Sequence, residues 1–147
     1  IDPYMRGRMN DAVSYTGPVQ IGDVMVGESV GVVVESKSDN FKSGDYFCVH
    51  GGWQSYIAVQ GDGPELFQAD PDIVPLSAYL GTVGMPGRTA YFGLTRLGKP
   101  KEGETVVVSA ASGAVGTVVG QVAKILGCRA VGVAGGLVLL FYNGIAH

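Results

Sequence analysis

The feature that most constrains the fold is the segment of residues 105–134, in which two apolar runs flank a glycine turn and a helix-like stretch. Residues 105–110 form an apolar run without alternation, which is typical of a strand buried on both faces of a parallel sheet. Residues 114–126 place apolar side chains at helical spacing, and Gly127 follows as a natural C-cap. Residues 129–134 form a second buried run. The order strand, turn, helix, strand predicts one βαβ unit.

The turn inside this unit has the spacing of a nucleotide-binding loop. It is the pattern G-x-G-x-x-G with alanine in place of the first glycine, formed by Ala111, Ser112, Gly113, Ala114, Val115 and Gly116. In this pattern Gly113 lets the backbone approach a pyrophosphate, and Gly116 lets the helix pack closely on the strand. The helix N-terminus then presents N–H groups and a positive dipole end to the phosphates. The context predicts that residues 111–116 bind a dinucleotide; a tight turn without a ligand is the alternative.

The residues that follow the second strand do not distinguish NAD from NADP. An acidic residue there usually bonds the adenosine ribose of NAD, whereas a basic residue accommodates the phosphorylated ribose of NADP. Residues 135–140 contain neither kind of side chain. This counts mildly against NAD without supporting NADP.

The first part of the chain has the pattern of a small β-domain. Short runs rich in β-branched and aromatic residues, separated by turn signals such as Gly44 and Asp45, predict strands at 24–26, 29–35, 46–50 and 53–59. This arrangement favours a small barrel or sandwich. Helical spacing then appears at residues 72–80 and 89–97. The composition shifts near Gly98, which predicts a mixed α/β protein with domains at 1–98 and 99–147.

Composition and charge exclude several classes of partner. The net charge is −3 with no run of Lys or Arg, so no nucleic-acid or membrane-surface partner is expected. The longest nearly apolar run, residues 131–142, is too short to span a membrane, and no signal peptide is recognised. A soluble, cytoplasmic protein is therefore expected. Cys48 and Cys128 form no CxxC pair, which favours two small buried residues over a disulfide or metal ligands.

No pair of side chains in the sequence resembles a catalytic dyad. His50 has no nucleophile context, His147 is terminal, and aspartates such as Asp2 and Asp45 lie in turn contexts. Hydride transfer explains this lack, because the cofactor carries the reactive chemistry and the protein supplies orientation and electrostatics.

Four segments resemble one known family in the right order: residues 2–9, 50–56, 84–94 and 107–116. They are similar to the medium-chain dehydrogenase/reductase superfamily, and within it to the prostaglandin reductase (leukotriene B4 12-hydroxydehydrogenase) and bacterial curcumin-reductase-like branch. The resemblance implies a GroES-like β-barrel followed by the first βαβ unit of a Rossmann domain. It implies NADP(H)-dependent reduction of the C=C bond of α,β-unsaturated ketones or aldehydes.

The resemblance also implies the roles of particular residues. Tyr4 and Arg6 would lie near the catalytic cleft, and Met85, Gly87 and Thr89 would approach the nicotinamide end of the cofactor. Structural alternatives stay open, because Tyr4 could be a core aromatic residue, Arg6 a member of a surface ion pair, and Thr89 a helix-entry residue. No metal is implied, since Asp2, Pro3 and Tyr4 stand where zinc-using relatives have their first cysteine ligand.

The sequence departs from the family pattern in ways that indicate a fragment. The strands expected before Ile1, the Lys after the second strand and a later Tyr near the substrate carbonyl are missing, and residues 137–147 match nothing. We expect a fragment that is inactive alone, with exposed sheet edges that make a homo-oligomer plausible. Two alternatives remain: a quinone in place of the enone as the small-molecule substrate, and a truncated binding or structural module without enzymatic activity.

Overall fold

The computed structural model describes residues 2–14, 16–63 and 66–135. The chain divides into two compact units, Ile1–Leu80 and Gly81–His147. This division precedes the helix at Met85–Phe92, because that helix packs on the helix of the βαβ unit. The domain boundary expected near Gly98 from the composition shift stays a prediction.

The first unit is built around a three-stranded antiparallel sheet. It opens with a 3₁₀-helix at Pro3–Met9, in which Met5 is buried, and closes with a second at Leu76–Leu80. The strands are β1 (Ser29–Val32), β2 (Tyr46–Val49) and β3 (Phe67–Ala69), in the order β1-β2-β3. Gly44 has a φ of +95° in the turn before β2, and the Asp45 carboxylate accepts from the Lys42 N–H at 2.7 Å, as the turn prediction requires.

Several expected elements of this unit differ from the structure. Strands form at 29–32 and 46–49, but residues 24–26 and 53–59 do not form strands, and only two backbone bonds link their neighbourhoods, Gly52 N–H to Gly27 and Trp53 N–H to Met25. Many apolar side chains there are exposed, including Tyr56 at 81%, so their alternation has no core to pack on. The helix expected at 72–80 is wrong over its first half, since only the 3₁₀ turn at 76–80 forms.

The second unit contains the predicted βαβ arrangement. Helix α1 (Met85–Phe92) runs into a π-helical segment, Gly93–Gly98, and so begins four residues before the expected start at 89. Strand β4 (Thr105–Ser109), helix α2 (Ala114–Ile125) and strand β5 (Arg129–Val133) follow. β4 and β5 pair in parallel, and Gly127 ends α2 with a φ of +75°. The mixed α/β class and the βαβ unit are therefore confirmed.

The core of this unit lies between α2 and one face of the sheet. The buried side chains are Leu94, Ala123, Cys128 and Ala130, with Val106, Val119 and Val122 packed around them. Cys128 is 3% exposed and Cys48, in the other unit, is 1% exposed, which confirms both as small buried residues.

The expectation that β4 is buried on both faces is wrong for the described residues. Val108 is 7% exposed on the side that faces α2. On the other side, Val107 is 66% exposed and Val133 is 47% exposed. Alternate side chains of a strand point to opposite faces. One face therefore packs on α2, and the other leaves Val107 and Val133 exposed in the described part of the chain.

Candidate functional site

The turn between β4 and α2 begins with a left-handed alanine. Ala110 has a φ of +49°, a conformation that non-glycine residues adopt infrequently. Its carbonyl accepts the Gly113 N–H at 2.9 Å, and the next N–H, of Ala111, donates to Val133 at the end of β5 at 3.0 Å. The peptide group between Ala110 and Ala111 is thus held on both sides, which fixes the path from strand to helix.

The first turn of α2 leaves a cluster of backbone donors. Gly113 is the N-cap, and the first helical bond runs from the Thr117 N–H to the Gly113 carbonyl at 3.0 Å. Within the described chain, the N–H groups of Ala114, Val115 and Gly116 have no acceptor, and no side chain caps this end. The turn contains no acidic residue. Free N–H groups and the positive end of the dipole make such a terminus favourable for an anion.

Gly116 is packed directly against this turn. A Cβ added at Gly116 would press on the Ala110 carbonyl oxygen and lie 2.8 Å from the Ala111 Cα. Gly113 is less restricted, since an added Cβ there would meet only the Ala110 oxygen, at 3.1 Å. The absence of a side chain at Gly116 is therefore what lets α2 begin so close to the end of β4.

Three further predicted cofactor residues lie at the start of α1. The Thr89 hydroxyl donates to the Met85 carbonyl at 2.8 Å, a bond within its own helix. A Cβ at Gly87 would press on the carbonyl of Thr82, and the Gly87 N–H donates to Gly81 at 3.0 Å. The close approach at Gly87 is therefore to the chain's own backbone. Since α1 packs on α2, these residues and the glycine turn belong to one unit.

The predicted catalytic residues Tyr4 and Arg6 lie in the other unit, on its first 3₁₀-helix. Arg6 is exposed and donates to the side-chain oxygen of Asn10 at 2.6 Å, which differs from the ion pair weighed as its alternative. Tyr4 is half-buried, and its N–H donates to the Asp2 carboxylate at 3.3 Å.

A shallow groove of about 280 Å³ runs between α2 and β5. It is lined by Val108, Ala111, Gly116, Thr117, Gly120, Gln121, Lys124, Ala130, Val131 and Gly132. The Thr117 hydroxyl and the Gln121 amide donate to carbonyls of their own helix. These two donors are thus engaged. Of the three residues with unpartnered N–H groups, Gly116 lines the groove.

Other kinds of site are not found in the described residues. Across 2–14, 16–63 and 66–135, no group of three or more His, Cys, Asp and Glu side chains is placed to hold a metal ion. No helix within these ranges has both the length and the apolar character needed to cross a bilayer. The tail at 137–147, for which the sequence offered no match, lies outside the described residues.

Sequence reasoning missed two features of this site. One is the left-handed Ala110, for which an alanine between a serine and an alanine gives no signal. The other is the packing of Gly87 on Thr82, whose only signal is the nearby pair of glycines, Gly81 and Gly84.

Known proteins provide close comparisons. Residues 1–67 match the family described as the N-terminal domain of oxidoreductase. The chain is 54% identical over 136 residues to the NADPH-dependent curcumin reductase of Escherichia coli (strain K12), covering 92% of this chain and 39% of that protein. It is 48% identical over 136 residues to prostaglandin reductase 1 of Bos taurus, with the same coverage of both chains.

A solved structure shows the same relationship. The crystal structure of CurA from Vibrio vulnificus in complex with NADPH is 50% identical, with a TM-score of 0.82, over 92% of this chain and 40% of that one. The chain thus spans about two-fifths of the length of the relatives it matches. The resemblance predicted from the four sequence segments is therefore confirmed: the chain is similar over 92% of its length to the curcumin and prostaglandin reductases, and its first 67 residues match the N-terminal domain of oxidoreductase.

Proposed function

We propose that this chain carries the pyrophosphate-binding turn of an NADP(H)-dependent oxidoreductase that reduces the C=C bond of α,β-unsaturated ketones or aldehydes. One observation carries the proposal: three unpartnered backbone donors at residues 114–116, in a chain half identical to a protein solved with NADPH. Because the chain spans two-fifths of such relatives, the activity is proposed for the whole protein.

The residues present suit a pyrophosphate. The N–H groups of Ala114, Val115 and Gly116 are adjacent in one turn, at the positive end of α2. The missing side chain at Gly113 leaves the backbone open to approach. No acidic side chain in the first turn would repel the phosphates. The role of this chain is to bind and orient, and bound NADPH supplies the hydride that reduces the substrate.

For the other proposed site residues, contacts within the chain account for the residue type to different degrees. Met85 and Thr89 are proposed to approach the nicotinamide end, with the Thr89 hydroxyl held by the Met85 carbonyl. Gly87 is accounted for by its packing on Thr82. Tyr4 and Arg6 are proposed to border the cleft of the whole protein, and Arg6 would then have to exchange Asn10 for a substrate or cofactor group.

Thermal unfolding of the 147-residue chain with NADPH and with NADH tests the proposal. A ligand at one hundred times its dissociation constant stabilises the folded state by about 2.7 kcal/mol. We expect the melting temperature to rise more with NADPH than with NADH, following the cofactor named for the relatives. No shift with either nucleotide would show that the chain does not bind the cofactor by itself and would overturn the proposal for this turn.

Two alanine variants on the same helix give a matched control. Gly116→Ala places a Cβ against the Ala110 carbonyl and should abolish the NADPH-dependent shift. Gly120→Ala, one helical turn further on, adds a Cβ in open space and should keep the shift. Equal shifts in both variants would contradict the proposed site.

The substrate class is tested in the whole protein. NADPH oxidation measured with a 2-alkenal and with a quinone should be faster with the alkenal. A faster rate with the quinone would favour the quinone alternative, and NADPH binding without turnover of either compound would favour a binding module.

A further inference from the structure

We propose that Ala110 is a positioning residue of the cofactor site, whose left-handed backbone sets the direction of the three donors at the start of α2. This inference rests on the proposed function, and it concerns a residue outside the glycine pattern at 111–116. Ala110 offers no functional group to a ligand, so its effect has to pass through its backbone conformation.

The Ala110 carbonyl is the common contact of the turn. It accepts the Gly113 N–H at 2.9 Å, a Cβ added at Gly116 would press on it, and a Cβ added at Gly113 would lie 3.1 Å from it. This hydrogen bond occupies the N–H of the N-cap residue, Gly113. The unpartnered N–H groups of the helix therefore begin at Ala114. The position of this carbonyl therefore determines both how close α2 comes and which of its donors remain available.

The φ of Ala110 fixes where this carbonyl points. At +49° the Ala110 carbonyl accepts the Gly113 N–H at 2.9 Å, and the following N–H of Ala111 donates to Val133 at 3.0 Å. A residue that avoids positive φ would rotate the peptide group and release one or both bonds. β-Branched residues are the least compatible with this region, whereas asparagine is enriched in it.

The test compares NADPH affinity across substitutions that differ in their tolerance of positive φ. By isothermal titration of the 147-residue chain, Ala110→Val should bind NADPH at least tenfold more weakly than the wild type. Ala110→Asn should bind about twofold more tightly, because asparagine favours the required conformation and so raises the fraction of free chains that hold it. If Ala110→Val does not fold, the gain in the asparagine variant still decides the matter.

Lys99 provides a control for strain without a role at the site. It has a φ of +47° at the end of the π-helical segment, close to that of Ala110. Lys99→Val compared with Lys99→Ala makes the same alanine-to-valine change at a positive φ. Relative to Lys99→Ala, Lys99→Val should lower the melting temperature. It should leave the NADPH dissociation constant within about twofold, because strain at Lys99 affects the fold alone.

The outcomes separate this inference from the proposed function. A wild-type chain that binds no NADPH overturns the proposed function, and this inference with it. A wild-type chain that binds NADPH, with Ala110→Val binding equally well or Ala110→Asn binding more weakly, overturns only the role of Ala110. An equal loss of affinity in Lys99→Val also overturns it, because general strain would then explain the effect.

Discussion

At the scale of single residues, the glycines of the second unit serve different purposes. Gly87 and Gly116 are both required by close approach to the chain's own backbone, at Thr82 and Ala110 respectively. Gly93 and Gly120 lie in helical segments where an added Cβ would meet open space. Identical residues within one family motif can therefore differ in why they are there, and only packing distinguishes them.

This difference gives a prediction for Gly87. Gly87→Ala should lower the free energy of unfolding by about 2 kcal/mol or more, since its Cβ presses on the Thr82 carbonyl and the backbone has to shift. Gly93→Ala should raise it by about 0.5–1 kcal/mol, because alanine favours helical backbone. Urea unfolding without any nucleotide measures both. If the Gly87→Ala chain is as stable as the wild type, packing on Thr82 does not explain this glycine, and only the proposed approach to the cofactor does.

At the scale of elements, the π-helical segment Gly93–Gly98 has one buried side and one exposed side. Leu94 is 9% exposed and belongs to the core with Ala123 and Cys128, whereas Leu97 is 85% exposed. The two leucines are three positions apart, yet only one contributes to holding α2 in place. The glycine turn depends on that packing, because α2 carries the donors.

The matched leucines allow a direct test of this element. Leu94→Ala should cost about 2–4 kcal/mol of stability, because it removes a buried side chain and leaves a cavity. Leu97→Ala should cost less than about 0.5 kcal/mol. Differential scanning calorimetry of the two variants provides the comparison, and similar losses in both would show that the segment packs differently from the structure.

At the scale of the whole molecule, the described part of the second unit leaves apolar side chains exposed on one face of its sheet. Val107 and Val133 are exposed there, and Val107 lies on a strand with one described partner. Exposed apolar faces and unpaired strand edges favour association between chains. The homo-oligomer expected from the sequence stays a prediction, and this face is the surface through which we expect it to form.

Self-association of the chain should therefore depend on Val107. Sedimentation velocity over a range of concentrations should show association of the wild-type chain, and Val107→Glu should reduce it at least several-fold. Val34→Glu in the first unit is the matched control, since Val34 is 67% exposed and Val107 is 66% exposed. Association that is unchanged by Val107→Glu, or reduced equally by both substitutions, would place the contact elsewhere.

The sequence by itself identified the resemblance to the curcumin and prostaglandin reductases, through the four segments at 2–9, 50–56, 84–94 and 107–116. It also predicted the βαβ unit, because apolar periodicity and the spacing of Gly113 and Gly116 are local properties that survive in any context. The C-cap at Gly127 and the turn at Gly44 were also predicted from local sequence, since glycine adopts a positive φ without steric cost.

Only the tertiary structure decided which of the apolar segments pack against another part of the chain. The apolar run of β4 predicts burial on both faces, but burial depends on what packs against a strand, and the described chain covers one face. The alternation at 53–59 gave no strand for the same reason. The left-handed turn at Ala110 could not be predicted from an alanine, because the bonds to Gly113 and Val133 hold it there.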